Sequence, residues 1–239
     1  MSIALITHVG AASTDGNNVT TVDKDTTGAN FIIVALALFS FGTPGPTDSF
    51  GNIYVPLNVY SDQLGVYRLR LWYCNSPRVG PGHNWTVTTT SETPSICVEA
   101  FSISPGQFFL DAQSGRNSNS PGPFMVFQAG ELFITAVVSS GGAPSAVDSG
   151  FHITDTITPS VNIALGLGMA WVINAGTAEL DPTWTAAGLQ ATTQAAFKFT
   201  GSTPPTPPSP PPETCQPAPV PSYTPGLVAD QEPPELTGS

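Results

Sequence analysis

Nine consecutive apolar residues, Phe31–Phe39, constrain the fold of this chain more than any other segment. They are bounded by Asn30 and by the turn-rich run Ser40–Pro46. The segment is too short to cross a bilayer as a helix, which needs about 20 apolar residues. Its β-branched and aromatic residues, with turn residues at both ends, favour a strand over a buried helix. Because no polar residue interrupts it, the sequence predicts a central strand that is covered on both faces.

Other segments of strand character follow, and no segment of useful length has a helical period. The most apolar are Glu131–Val138 and Ile163–Ile173, which are the expected core companions of Phe31–Phe39. Pro56 confines its own segment to an edge strand or a strand end, and Gly106–Gly122 is predicted to be a long loop. About ten to twelve strands at this spacing predict an all-β fold, an antiparallel β-sandwich that is jelly-roll-like.

A weak internal similarity links two parts of the chain. Asp48–Tyr54 and Asp148–Thr154 both begin with Asp-Ser, and both follow a loop containing Gly and Pro after an apolar segment. One interpretation is a pseudo-repeat of two halves. The other, which the sequence favours, is that two unrelated Asp-Ser turns look alike by coincidence.

The charge composition excludes some partners. Charged residues make up only 10% of the 239 residues, against about 25% in typical soluble domains. A free monomer normally carries more charge, so this composition suits a protein that works inside an assembly. The net charge is −11, with only six scattered Lys and Arg residues. Binding to nucleic acid or to an anionic membrane depends on basic residues, so neither partner is expected.

The three cysteines do not form a disulfide framework or a metal-binding spacing. Cys74 and Cys97 lie in apolar strand-like segments and are predicted to be buried thiols, with a bridge between them as the alternative. Cys215 lies apart, in a proline-rich segment. The N-terminal residues Met1–His8 lack a basic region and a cleavage site, so the sequence predicts no signal peptide and synthesis inside the cell.

The composition changes after Thr200, which predicts a β-sandwich domain over residues 1–200 and a proline-rich extended C-terminal arm over 201–239. From Pro204 onward the chain has 13 of its 25 prolines and no Lys or Arg, a composition that favours polyproline II. It is also typical of a disordered tail. The alternative is an arm that binds a neighbouring subunit, because polyproline II loses little entropy on docking. The expected contact residues of this arm are Pro204, Pro205, Pro207, Pro208, Pro210, Pro211, Pro212, Tyr223, Leu227, Val228 and Leu236.

Few residues suggest catalysis. His83 lies in a Gly-Pro-Gly turn outside any known histidine motif. Glu99 and Glu131 lie in apolar segments and invite comparison with the paired carboxylates of glycosidases. Neither has a second acid in its own segment, so contact with solvent or pairing with an arginine is the favoured interpretation. The sequence therefore predicts that the protein is not an enzyme and has no catalytic residues.

Metal and sugar binding have equally weak signals. Asp15–Asn18 and Asp23-x-Asp25 resemble fragments of calcium loops, but they lack the full ligand run of an EF-hand. A structural calcium ion is the alternative to the prediction that the protein has no metal and no cofactor. The four tryptophans are predicted to pack in the core, with a sugar-stacking platform as the alternative; they are Trp72, Trp85, Trp171 and Trp184.

Turn and strand signatures recur from residue 2 to residue 199. They are Asp48–Tyr54, Leu71–Asn75, Gly82–Thr88, Phe109–Gly115, Gly130–Leu132, Asp148–Asp155 and Ala195–Lys198. Together they resemble a β-sandwich module found in tailed-phage structural proteins and in bacterial surface proteins. The resemblance implies a fold and no catalytic residues, and it does not include the proline-rich extension.

These observations favour a structural protein of a tailed-phage virion, such as a capsid decoration or cement protein, a head fibre or a similar appendage. Its C-terminal arm would fasten it to neighbouring subunits. The expected partners are further copies of itself, as a homo-oligomer, and other virion proteins such as a major capsid protein. The expected location is the virion, after synthesis in the host cytoplasm. One alternative is a carbohydrate-binding or adhesion module that binds a surface glycan, and another is a jelly-roll glycan hydrolase.

Overall fold

A computed structural model describes residues 2–39, 44–104, 106–123, 129–158, 165–176 and 179–200. The described residues form fifteen strands and no helix. The strands are β1 (Ser2–Ala12), β2 (Asn18–Thr20), β3 (Phe31–Phe39), β4 (Thr47–Asp48), β5 (Val55–Ser61), β6 (Tyr67–Asn75), β7 (Trp85–Thr88), β8 (Ser95–Ser104), β9 (Gln107–Arg116), β10 (Leu132–Ser139), β11 (Ala146–Val147), β12 (His152–Ile157), β13 (Gly166–Ile173), β14 (Trp184–Thr185) and β15 (Gln190–Thr200).

Two five-stranded antiparallel sheets pack face to face, as in a β-sandwich. The first sheet has the order β1-β8-β3-β6-β5 and the second the order β12-β13-β10-β15-β9. Apolar side chains of both sheets meet between them in one core, where Phe31 makes edge-to-face contacts with Phe108 and Phe197 at centroid distances of 4.8 and 4.9 Å. The predicted all-β sandwich is confirmed at this level.

The prediction that Phe31–Phe39 is a central strand covered on both faces is confirmed by β3. Its odd-numbered residues face the second sheet, while Ile32, Val34 and Leu36 lie in a separate core on the opposite face. A small three-stranded sheet, β2-β7-β4, supplies Trp85 and Val87 to that second core. The strand lacks an alternating pattern because both of its faces exclude water.

The second sheet is covered in a similar way. Phe133 and Val137 of β10 lie in a third core on the outer face, together with Trp184 of the two-stranded sheet β11-β14. The two predicted companions of β3 correspond to β10 and β13, which neighbour each other in the sheet opposite β3. They are therefore core companions across the sandwich rather than strands beside β3.

The prediction of a long loop over Gly106–Gly122 is wrong. Most of that segment is β9, an edge strand of ten residues that pairs with β15. Only Phe108 is fully buried, so the strand lacks the apolar repeat that identifies interior strands. Its pairing with β15, more than 70 residues away, is what makes it extended. The prediction for Pro56 is confirmed, because Pro56 lies in the edge strand β5.

The two halves of the sandwich have matching strand orders. The first sheet is converted into the second when its strands β1, β8, β3, β6 and β5 are replaced, in that order, by β9, β15, β10, β13 and β12. The small sheets match as well, because β7 pairs with β4 as β14 pairs with β11. The two Asp-Ser pairs themselves are offset by one residue in this correspondence, because Asp48 pairs with Trp85 whereas Val147 pairs with Trp184. The strand orders therefore support two matching halves, but equivalent positions do not explain the likeness of the two Asp-Ser turns.

Cys74 and Cys97 are free, buried thiols, as predicted. They face different cores on opposite sides of the first sheet, which excludes a bridge between them in this structure. Cys215 and the whole predicted arm, 201–239, lie outside the described residues. Among the residues described, no helix has the length and apolar character needed to cross a membrane.

Candidate functional site

The first polar cluster surrounds Asp48, at the end of β4. Asp48 Oδ1 accepts hydrogen bonds from the backbone N–H groups of Phe50 and Asn52, both at 3.0 Å, which fixes the turn that follows the strand. Asp48 Oδ2 accepts from Tyr54 Oη at 2.6 Å and from Asn52 Nδ2 at 2.8 Å, and it lies 3.1 Å from His83 Nε2. Burial raises the pKa of Asp48, but the hydrogen bonds from His83, Tyr54 and Asn52 outweigh it and hold the pKa well below its usual range.

His83 links Asp48 to a hydroxyl group. His83 Nδ1 lies 2.9 Å from Thr26 Oγ1, so a hydroxyl, an imidazole and a carboxylate follow one another. Catalytic triads use these three groups, but Thr26 and His83 have no exposed surface. His83 also stacks on Trp85 with a centroid distance of 4.1 Å. The cluster therefore holds the β2-β7-β4 sheet against β3 and offers no space for a substrate.

Tyr54 completes this cluster. Its hydroxyl accepts a hydrogen bond from Trp85 Nε1 at 2.6 Å while it donates to Asp48. Burial, together with the neighbouring Asp48 carboxylate, raises the pKa of Tyr54 far above its usual value. In the second half, Trp184 takes the place of Trp85, and its Nε1 donates to Thr135 Oγ1 at 3.1 Å. The Asp48 cluster thus belongs to the first half only.

The second polar cluster surrounds Glu99, whose side chain points between the two sheets. Thr154 Oγ1 on β12 lies 2.6 Å from Glu99 Oε1 and 3.2 Å from the carbonyl oxygen of Met169. Glu99 Oε2 has no hydrogen-bond partner among the described residues. Next to it, at the edge of the sandwich, His8 Nδ1 lies 2.9 Å from Asp155 Oδ2.

Glu99 is fully buried, and this burial raises its pKa to about 8, with a smaller contribution from the nearby Asp155 carboxylate. The hydrogen bond from Thr154 acts in the opposite direction and lowers the pKa of Glu99, but burial outweighs it. Thr154 Oγ1 has one proton for two acceptors, Glu99 Oε1 and the carbonyl oxygen of Met169. When Glu99 is protonated, it can donate to Thr154 Oγ1, and Thr154 then donates to Met169.

The two glutamates compared with glycosidase carboxylates have different surroundings. Glu99 lies on β8 against β12, whereas Glu131 directly precedes β10, where its carbonyl oxygen accepts from the backbone of Asn174 at 3.0 Å. Both side chains are fully buried. Near Glu131, Lys198 pairs with Asp111, which raises the pKa of the lysine. The structure thus does not place the two glutamates at the wall of one open cleft among the described residues.

The calcium-loop fragments have local structural roles. Asp15 Oδ1 accepts from the backbone N–H groups of Asn17 and Asn18 at 2.8 and 3.0 Å, and these bonds lower the pKa of Asp15. Asp25 Oδ1 accepts in the same way from Thr27. Within the described ranges, no three His, Cys, Asp or Glu side chains are grouped so that they could hold a metal ion.

The tryptophans mainly fill the interior. Trp85 and Trp184 are fully enclosed, and Trp72 is 9% exposed, so core packing is confirmed for these three. Trp171 is half-buried and contacts Phe101 at a centroid distance of 5.6 Å. The tryptophans therefore do not form a common exposed platform.

One open concavity of about 280 Å³ lies beside the loops that precede β10 and β15. Its wall carries side-chain amides and hydroxyls rather than aromatic rings. The lining residues are Gln63, Asn117, Ser118, Asn119, Gly188, Leu189 and Gln190. Side chains of this kind can exchange hydrogen bonds with a polar ligand.

Sequence reasoning missed several members of these clusters. Asp48 stood in a recognised turn, and its Asp-x-x-x-Asn spacing was a local signal for a capped turn. His8 and Asp155 had no such signal, because 147 positions separate them along the chain. Thr154 was likewise an ordinary strand residue until the fold placed it against Glu99.

Comparison with known proteins returned no relative. No family model matches the chain, no curated protein matches it, and no solved structure matches it.

Proposed function

We propose that this chain is a structural component of a tailed-phage virion, a capsid decoration protein, head fibre or similar appendage. The positions of the ionisable candidate residues are the observation that supports a structural role. His83, Glu99 and Glu131 are all fully buried, and their neighbours are strands of the same domain. Such groups stabilise or restrict a fold, whereas catalytic groups must reach a substrate.

The composition supports the virion assignment. Only 10% of the residues are charged, and exposed apolar side chains occur on the edge strands, including Val55 and Val59 on β5 and Phe109 on β9. A surface of this kind suits a protein that is surrounded by other subunits. The proposed jelly-roll character rests on the orders β1-β8-β3-β6 and β2-β7-β4 in the first half. These seven strands follow the order of a jelly roll, whereas β5 pairs with β6 instead of with β4.

In this proposal the proline-rich segment 201–239 fastens the domain to further copies of itself and to a major capsid protein. The test compares chain 1–239 with chain 1–200 by size-exclusion chromatography with light scattering. We expect the full chain to be oligomeric and the shortened chain monomeric, with the same thermal unfolding of the domain. Equal masses for the two chains would refute the role of the arm.

A matched pair of variants separates specific contacts from chain length. Replacing Tyr223, Leu227 and Val228 by alanine removes the apolar anchors of the arm and should reduce oligomerisation as truncation does. Ser222→Ala changes the same segment without removing an anchor and should behave like the wild-type protein. If the triple variant remains fully oligomeric, the arm does not bind through these residues.

The second candidate function is binding of a surface glycan. The observation that favours it is the concavity lined by Gln63, Asn117, Asn119 and Gln190, since amide groups can both donate to and accept from sugar hydroxyls. The test is a glycan array with the full chain. Binding that is lost in Asn119→Ala would support this function over the purely structural one, and the absence of binding to any glycan would refute it.

A further inference from the structure

The two long edges of the sandwich are built in the same way. At one edge, β1 approaches β12 so closely that a Cβ atom at Gly10 would overlap the side chain of Ile157. At the other edge, β9 approaches β5, and a Cβ atom at Gly115 would overlap the ring of Tyr60. Each edge therefore joins one strand from each half, and each has a glycine at the point of contact.

The β-bulges show that the strands of the two halves correspond residue by residue. On β1, Leu5 pairs with Phe101, and the register then shifts at Ile6. On β9, Leu110 pairs with Phe197, and the register shifts at the next residue in the same way. Counting onward from these pairs makes Gly10 on β1 equivalent to Gly115 on β9.

The opposite strands agree with this alignment. The register of β5 shifts after Pro56, and that of β12 shifts after Ile153. Beyond the shifts, Tyr60 pairs with Leu69, and Ile157 pairs with Leu167. Tyr60 and Ile157 are therefore equivalent, although each contacts a glycine of the other half.

Polar contacts show the same equivalence between the two edges. His8 bonds Asp155 at 2.9 Å across the first edge, and Gln113 Oε1 accepts from the backbone N–H of Asn58 at 2.8 Å across the second. The same alignment makes His8 equivalent to Gln113 and Asp155 equivalent to Asn58. One operation that exchanges the two halves therefore maps the apolar contact of one edge onto that of the other edge, and it does the same for the two polar contacts.

We infer that residues 2–104 and 107–200 are two versions of one folding unit and that they pack as a pseudo-two-fold dimer within one chain. The inner sheet face of each unit is a recognition surface for the other unit. The connection between them contains only residues 105 and 106, since β8 ends at Ser104 and β9 begins at Gln107. This relation goes beyond the proposed virion role and does not depend on it.

The Glu99 contact makes this recognition selective. At the equivalent place on the other side of the interface, Glu99 is replaced by Ala195 and Thr154 by Leu57, and both replacements lie in the shared apolar core. If two first units packed together, each Glu99 would face Leu57 instead of Thr154. A buried carboxyl without its hydroxyl partner is costly, so the contact disfavours the pairing of like units.

The edge glycines would not prevent such like-with-like pairing. Gly115 already accommodates Tyr60 at the second edge, so Gly10 can accommodate Tyr60 of another first unit in the same geometry. Among the inward-facing side chains of β8, Glu99 is the one carboxyl. Glu99 together with Thr154 therefore determines which units pair.

The experiment uses the full chain with a protease-cleavable sequence inserted between Ser104 and Gln107. The protein is folded, cut, denatured, refolded and weighed by native mass spectrometry. For the wild-type sequence we expect the two pieces to remain together in a 1:1 complex after cutting and to re-form that complex after refolding. For Glu99→Ala combined with Thr154→Leu, which reproduces the apolar pair of the other side, we expect at least a tenfold larger fraction of complexes that contain two first pieces.

Two controls keep the result interpretable. Glu99→Gln removes the ability to ionise but still needs the hydroxyl, so its pairing should stay 1:1. Far-UV circular dichroism of the uncut double variant establishes that it folds, and a double variant that does not fold overturns the claimed equivalence of the two sides. Separation of the pieces directly after cutting also overturns the inference, and so does a folded double variant that forms only 1:1 complexes.

Discussion

Glu99→Gln tests the protonation state that the interface imposes. The glutamine side chain has the shape of the protonated acid, and its amide can donate to Thr154 Oγ1, which still donates to the carbonyl oxygen of Met169. It cannot ionise. The substitution therefore preserves the contacts of the neutral acid and removes only the titration, so that any change in pH dependence reports on Glu99 itself.

The expected magnitude follows from the pKa of Glu99, which is about 8 in the folded protein against an ordinary value of 4.5. Between these values the folded protein holds a proton that the unfolded chain has lost, so the free energy of unfolding falls as the pH rises. At about 1.4 kcal/mol per pH unit, this interval corresponds to about 5 kcal/mol of lost stability. The contribution of Glu99 is fully present below pH 4.5 and is lost as the pH rises through 8.

The assay is urea unfolding followed by tryptophan fluorescence at one-unit steps from pH 4 to pH 9, with linear extrapolation to zero denaturant. We expect the stability of Glu99→Gln relative to wild type to increase by about 5 kcal/mol across this range and to level off above pH 8. Asp25→Asn is the control that should not change with pH over this range. Thr27 lowers the pKa of Asp25 from its ordinary value of 3.8, so the contribution of Asp25 to stability is lost only as the pH falls below the range of the assay.

A stability difference between Glu99→Gln and wild type that stays constant from pH 4 to pH 9 would refute the reasoning. It would mean that Glu99 ionises equally easily in the folded and unfolded states. The contact with Thr154 would then be an ordinary carboxylate hydrogen bond, and burial would not hold Glu99 as the protonated acid.

Two further substitutions test the contacts that hold the sheets together. Tyr54→Phe should lower the free energy of unfolding by about 1–3 kcal/mol, because Asp48 and Trp85 each lose a buried hydrogen-bond partner; urea unfolding measures this, and an unchanged midpoint would contradict the role of the cluster. Gly10→Val should destabilise by about 1–3 kcal/mol through overlap with Ile157. Adding Ile157→Ala should restore part of that loss in a double-mutant cycle, and strictly additive effects would show that the two residues do not meet.

The strands that are apolar throughout were the most predictable part of the fold. β3 occupies the predicted residues Phe31–Phe39, β13 lies within Ile163–Ile173, and β10 extends only one residue beyond Glu131–Val138. β9 was missed because an edge strand with one solvent-exposed face and several polar residues has no strong periodic signal. Its extended shape is imposed by hydrogen bonds to β15, which a local pattern does not encode.

The candidate site was predictable only in part. The sequence identified His83 and Glu99 as unusual, because each is a polar residue in apolar or turn-rich surroundings. It did not identify their partners. Asp48 precedes His83 by 35 positions and Thr154 follows Glu99 by 55, and no helical or strand periodicity connects residues so far apart.

By itself, the sequence determined that this chain forms strands, that β3 is covered on both faces, and that few charges are available for solvent or for anionic partners. These properties depend on local composition and periodicity. The tertiary structure alone decided that the two halves correspond and that Gly10 and Gly115 occupy equivalent contacts. It also decided that Glu99 lies fully buried between the sheets, in contact with Thr154. The physical reason is that pairing across a sandwich depends on the register of strands far apart in the chain, and that register is set only when both sheets have formed.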